Sequence, residues 1–223
     1  MRKGLELMNR LSRAAIALRK ASRWKGSLLP VDAARDDFLY ELLCYFRVAL
    51  AAKEDFKLEV ANAIMNQSGR FTARWPQKPG NKCNFSFFLL KGAQAGETVF
   101  QLCPGIRIKD RHNKRRAPDI NLLHGNTGAE PSSQDLAGIW DAKYLMNSAS
   151  RLPDTQVSDF AWTFQQLGSP VTPSIWIAAT KKPEFRGSGI LTNGKFSTEM
   201  ENALKAEGIL ETEQFPDSPA TRP

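Results

Sequence analysis

Apolar residues return every third or fourth position along residues 5–22, LELMNRLSRAAIALRKAS. Leu5, Met8, Leu11, Ala15 and Leu18 predict the apolar stripe of an amphipathic helix with arginines between its turns. The same period is stronger over 33–53, AARDDFLYELLCYFRVALAAK. There Phe38, Leu39, Leu42, Leu43, Phe46 and Leu50 make one face, and Tyr40, Cys44, Tyr45 and Val48 continue it around the back. This second helix is therefore expected to be covered on both sides. Asp37 and Glu41 lie one turn apart on its second side, where a carboxylate is costly unless paired, protonated or metal-bound. WKGSLLP breaks the pattern between the two helices and marks a boundary near residue 30.

Further on the period shortens. FKLEVANAI (56–64) reads as a strand, and 66–82 reads as a polar, Gly/Pro-punctuated loop carrying Phe71 and Trp75 among basic residues, a mixture that suits unpaired bases but fits an ordinary surface loop better. NFSFFLLK, TVFQLC, GIRIKD, PDINLLHG and AGIWDAKYL then predict a run of strands separated by polar turns. DTQVSDFAWTFQQLG predicts a helix ending at Gly168, and PSIWIAAT (173–180) a short buried strand. A last helix starts at a capping box on Ser197, and FPDSPATRP has the composition of a disordered tail. The fold class implied is α/β, with three segments: a basic helix or arm over 1–30, a main domain over 31–212 and a tail over 213–223.

Charge changes this picture because it is concentrated. The chain of 223 residues carries a net +8. Residues 1–30 hold eight Lys/Arg, Arg13, Arg19 and Lys20 among them, against Glu6 alone. Residues 104–118 hold six (Arg107, Lys109, Arg111, Lys114, Arg115, Arg116) against Asp110. The remainder is mildly acidic, so two basic patches point to a polyanionic partner. The first helix could grip nucleic acid, pack on a partner protein or a second copy, or serve as an Arg-rich presequence. Cys44, Cys83 and Cys103 form no CxxC pair and fit free thiols in a reducing, cytoplasmic compartment. No apolar run approaches the roughly 18–20 residues that span a bilayer, so no membrane role is expected. Two histidines, His112 and His124, are too few for a His-rich metal site, and no P-loop motif occurs.

The chemistry lies in Pro118-Asp119 and Asp141-Ala142-Lys143. Residues two apart on a strand face the same side, so Asp141 and Lys143 project together. If their strand neighbours that of Asp119, two carboxylates meet and favour a cation between them. Mg²⁺ or Mn²⁺ suits such a pair, and can polarise a phosphoryl oxygen and activate water.

These two motifs, in this order and on strands, resemble those of the PD-(D/E)xK, or restriction-endonuclease-like, nucleases. The resemblance covers roughly residues 33–182. It implies an αβββαβ core with a central mixed sheet flanked by helices, built from the helix 33–53, strands near 98–109, 117–124 and 137–144, the helix 156–168 and the strand 173–180. It also implies metal ligation by Asp119, Asp141 and the Ala142 carbonyl, with Lys143 as catalytic lysine and Glu41 as the added glutamate of the first core helix. Asp37, Gln165 and Gln166 are secondary candidates by the same resemblance. The function implied is a Mg²⁺-dependent endonuclease, DNA preferred to RNA, in a restriction, defence or mobile-element setting where a partner could be needed for cutting. Lys109, Arg111, His112, Lys114, Arg115 and Arg116 would hold phosphates beside the metal, and Arg13, Arg19 and Lys20 would add a second grip. The competing expectation is a non-catalytic nucleic-acid-binding or assembly subunit with a nuclease-like fold.

Overall fold

A computed structural model describes residues 2–29, 35–65, 69–92, 97–213 and 215. Two helices come first, α1 (Arg2–Ser22) and α2 (Asp36–Ala51). Strands β1 (Lys57–Ala61), β2 (Ile64–Met65), β3 (Phe71–Thr72), β4 (Phe87–Lys91) and β5 (Thr98–Pro104) follow. Next come β6 (Ile108–Lys109), β7 (Arg115–Arg116), β8 (Ile120–His124) and β9 (Leu136–Lys143). The last elements are α3 (Asp154–Gln166), α4 (Ser174–Ala179), β10 (Gly189–Thr192), α5 (Thr198–Ala206) and β11 (Leu210–Thr212).

Seven strands form one mixed sheet in the order β1-β4-β5-β8-β9-β10-β11. Neighbours from β1 to β9 are antiparallel; β10 and β11 join in parallel, each after a helical crossover. A parallel step needs such a crossover, and helices on both faces then bury the sheet. The α/β class holds. On one face α1, α2 and α4 bury Leu11, Leu18, Phe46 and Trp176 against Phe88, Phe100, Leu122 and Trp140. On the other, α3 and α5 bury Val157, Phe160 and Leu204 against Leu123, Ile139 and Ile190. Each large side chain fully buried this way contributes about 1.5–3 kcal/mol.

α1 is packed on the body. Its buried stripe is Leu7, Leu11, Ala14, Ala15 and Leu18, whereas Leu5 is exposed, so the contact face is rotated from the one expected. α2 is covered on both sides, as its double apolar face requires: Phe38, Leu42, Cys44, Tyr45, Phe46 and Val48 are all buried, while Arg47 stays exposed.

Three expectations fail. PSIWIAAT is not a strand but α4, because Pro173 starts a helical turn in which its carbonyl accepts the N–H groups of Trp176 and Ile177. Trp176 and Ala179 then face inward at helical spacing, leaving Ile175 and Ile177 exposed. The strand beside β9 is instead β10, from GILT. Trp75 is no base-stacking residue: it is buried, and its Nε1 donates to the Leu28 carbonyl at 2.7 Å. Finally, the tail does not begin at 213. Glu213 accepts the Phe196 N–H at 2.6 Å, and Phe215 is buried with its carbonyl taking the Tyr40 hydroxyl at 2.7 Å. The rest of the expected tail, residues 214 and 216–223, lies outside the described residues. Among the described residues, no helix is long and apolar enough to cross a membrane.

Candidate active site

β8 and β9 are antiparallel neighbours with Ile120 opposite Trp140, which carries Asp119, just before β8, to the level of Asp141 and Ala142. Asp119 Oδ2 accepts the Ala142 N–H at 2.8 Å. The N–H and carbonyl of one strand residue point to the same side, so the Ala142 carbonyl is directed toward Asp119 as well. Pro118 is buried at the strand entrance, its carbonyl held at 3.0 Å by Asn121 Nδ2. The Asp119 carbonyl takes the Gly105 N–H at 2.7 Å. The Pro118-Asp119 peptide is thus pinned from two sides.

Asp141 and Lys143 share one side of β9 and form an ion pair of 2.5 Å. Their side chains retain 13% and 27% of their exposure, enough for a ligand to reach both. Glu41 approaches from α2, half-buried, and lines a narrow cleft with Phe38, Leu42, Trp75, Pro104 and Asp119. Three carboxylates therefore crowd one ammonium. Burial pushes the Asp119 carboxyl well above the carboxylate range, with Asp141 and Glu41 adding to the rise. Burial, then Asp37 and Asp141, push Glu41 up to about 7. Burial pulls the Lys143 ammonium down, but Asp141, Asp119 and Glu41 together leave it above the usual lysine value. One ammonium thus stands among three carboxylates.

Among the described residues, no group of three or more His, Cys, Asp or Glu side chains stands in ready metal-holding geometry. The donor chemistry nevertheless fits a hard dication: Asp119, Asp141, the Ala142 carbonyl and Glu41 offer oxygen alone. Cys44, close by on α2, is buried, and burial pushes its thiol well above the usual range.

The secondary candidates stay apart. Asp37 pairs with Arg35, which holds its carboxyl below the usual range, and reaches Glu41 only through space. Gln165 is exposed on α3, and Gln166 offers its backbone carbonyl to the Arg111 N–H. The phosphate-binding candidates divide. Arg111, His112, Lys114 and Arg115 are exposed on the β6–β7 hairpin. Lys109 is paired with Glu130 at 2.6 Å and Arg116 with Asp110 at 3.0 Å, so neither is a free cation. Arg13, Arg19 and Lys20 are exposed on α1, on the sheet face opposite the α3 layer that carries the hairpin. The two basic regions do not merge into one grip.

Two residues have roles that the sequence pattern did not assign. Asn121, fully buried in β8, was visible as a lone polar residue in INLLH. Asp110 was visible as the acid in a basic turn, KDRHN, where an aspartate organises local N–H groups. Comparison of the chain with known protein families, with characterised proteins and with solved structures finds no match.

Proposed function

We propose that this chain is a Mg²⁺- or Mn²⁺-dependent endonuclease acting on nucleic acid, DNA ahead of RNA, with a core of the PD-(D/E)xK type. The observation that carries the reading is the meeting of Asp119, Asp141 and Lys143 across β8 and β9, with Glu41 arriving from α2. The order α2, β5, β8, β9, α3, β10 supports it, since three antiparallel strands and a helical crossover to a parallel fourth follow one helix. Asp119, Asp141 and the Ala142 carbonyl would hold the dication, with help from Glu41. When bound, the metal supplies polarisation of the phosphoryl oxygen and a water of lowered pKa.

The chain's own groups do the rest. The Ala142 N–H and the clamped Pro118-Asp119 peptide fix the Asp119 carboxylate before substrate arrives, so no reorganisation is needed in the reaction. Lys143, kept protonated by its carboxylate neighbours, orients the attacking water and offsets charge building on the phosphorus centre. The exposed hairpin cations Arg111, Lys114 and Arg115, on the arm that leads into Asp119, hold flanking phosphates.

The test is cleavage of duplex DNA, single-stranded DNA and RNA with Mg²⁺ or Mn²⁺, comparing the natural chain with Asp141→Asn and Lys143→Ala. Cutting that needs metal and disappears in both variants is expected; variants that cut as fast as the natural chain sink the proposal. Binding that persists in EDTA, with no cleavage under any metal, would mark a non-catalytic binding subunit instead.

A further inference from the structure

The β6–β7 hairpin is more rigid than a basic surface loop has reason to be. The Asp110 carboxylate accepts the N–H groups of His112 and Lys114, each at 2.8 Å, and Arg116 Nε at 3.0 Å. Arg116 is thereby fixed, and its guanidinium lies 4.1 Å over the ring of Trp162 on α3. The Arg111 N–H ties the hairpin tip to the Gln166 carbonyl in the last turn of the same helix. Trp162 still keeps 49% of its surface exposed, although an indole buries readily. Arg111, Lys114 and Arg115 are exposed on the same hairpin. Two residues separate Arg116 from Asp119, a reach of at most about 10 Å over three steps of chain.

We infer that Trp162 is a stacking platform for an unpaired base of single-stranded DNA, its phosphates held by Arg111, Lys114 and Arg115. The inference rests on the nucleic-acid reading above and narrows its substrate to an unpaired strand. An indole face needs a free base face, and in a duplex those faces are already stacked on one another. Exposed cations on a braced hairpin that touches an exposed ring match alternating phosphates and bases, a pattern that an acidic peptide does not offer. Arg116 steadies the ring by a cation–π contact rather than serving as a phosphate ligand.

The test is equilibrium binding of the full chain to labelled oligo(dT) and to a mixed-sequence duplex, by fluorescence anisotropy in EDTA so that cleavage does not enter. Trp162→Ala is expected to bind oligo(dT) about tenfold more weakly with its salt slope unchanged, and the duplex as before. Trp162→Phe should recover most of the loss, whereas Lys114→Ala should flatten the salt dependence on oligo(dT). Matched melting temperatures establish that the variants are folded. Undiminished oligo(dT) binding by Trp162→Ala, an equal loss on duplex, or no oligo(dT) binding by the natural chain overturns the inference. The nuclease reading fails separately: Trp162-dependent binding by a chain that cuts nothing with any metal removes the hydrolase and leaves the platform.

Discussion

Asp110 and Asp119 stand at the two ends of one basic hairpin arm, and their surroundings drive them in opposite directions. Burial pushes Asp110 up, but the Lys114 and His112 N–H groups and the Arg116 guanidinium outweigh it and bring the carboxyl below its usual range. Asp119 accepts one N–H, from Ala142, and has Asp141 and Glu41 for neighbours, so its carboxyl is held well above that range. A carboxylate satisfied by donors organises a turn. One crowded by other carboxylates is left without donors enough to satisfy its charge. The same residue type thus separates the satisfied end of the arm from the unsatisfied one, and the proposed catalysis draws on the second.

The largest test of this contrast is catalytic. Asp119→Asn is expected to lower metal-dependent cleavage by about 10³-fold, as removal of a preorganised charge group does. Asp110→Asn should leave kcat nearly unchanged and raise KM through the loosened hairpin. Steady-state kinetics on one DNA substrate reads both; equal kcat losses would erase the distinction. Stability should order the pair the other way. Asp110→Ala is expected to lower Tm by several degrees, because its three donors lose their acceptor, while Asp119→Asn in EDTA should not lower it.

Dependence on pH sharpens the comparison further. A depressed carboxyl contributes stability above its unfolded pKa and loses it as pH falls through the folded value, which is the behaviour expected of Asp110. A raised carboxyl does the reverse. Glu41 rises from 4.5 to about 7, so metal-free protein should lose stability as pH climbs between those values. Glu41→Gln should flatten that slope and be more stable at pH 8 by about 2 kcal/mol, read by denaturant titration across pH. The smallest effect is metal linkage. Mg²⁺ at tenfold excess over its Kd should stabilise the natural chain by about 1.4 kcal/mol and leave Asp119→Asn unmoved, as thermal melts would report.

Much of this was legible in the sequence where the pattern is long or chemically odd. α2 announced itself through sixteen residues of helical period, and the Asp141-Lys143 pair through charges inside an oily strand. PSIWIAAT was not legible, since a short run apolar throughout has no period to distinguish helix from strand. GILT escaped because four residues opened by glycine carry little signal; Gly189 is there because a Cβ would collide with the Leu210 carbonyl of β11. The Arg116–Trp162 stack joins residues from two separate elements, a relation no local pattern encodes.

Tyr40 precedes Glu41 on α2, and its hydroxyl is bonded to the carbonyl of Phe215. β10 and β11, which cover the far edge of β9, also come from the last part of the chain. Synthesis runs from the N-terminus, so a ribosome releases α2, Asp119, Asp141 and Lys143 well before the segments that brace them exist. The carboxylates are therefore synthesised before their braces, and a nascent chain stalled before residue 189 carries Glu41, Asp119, Asp141 and Lys143 on an unfinished sheet.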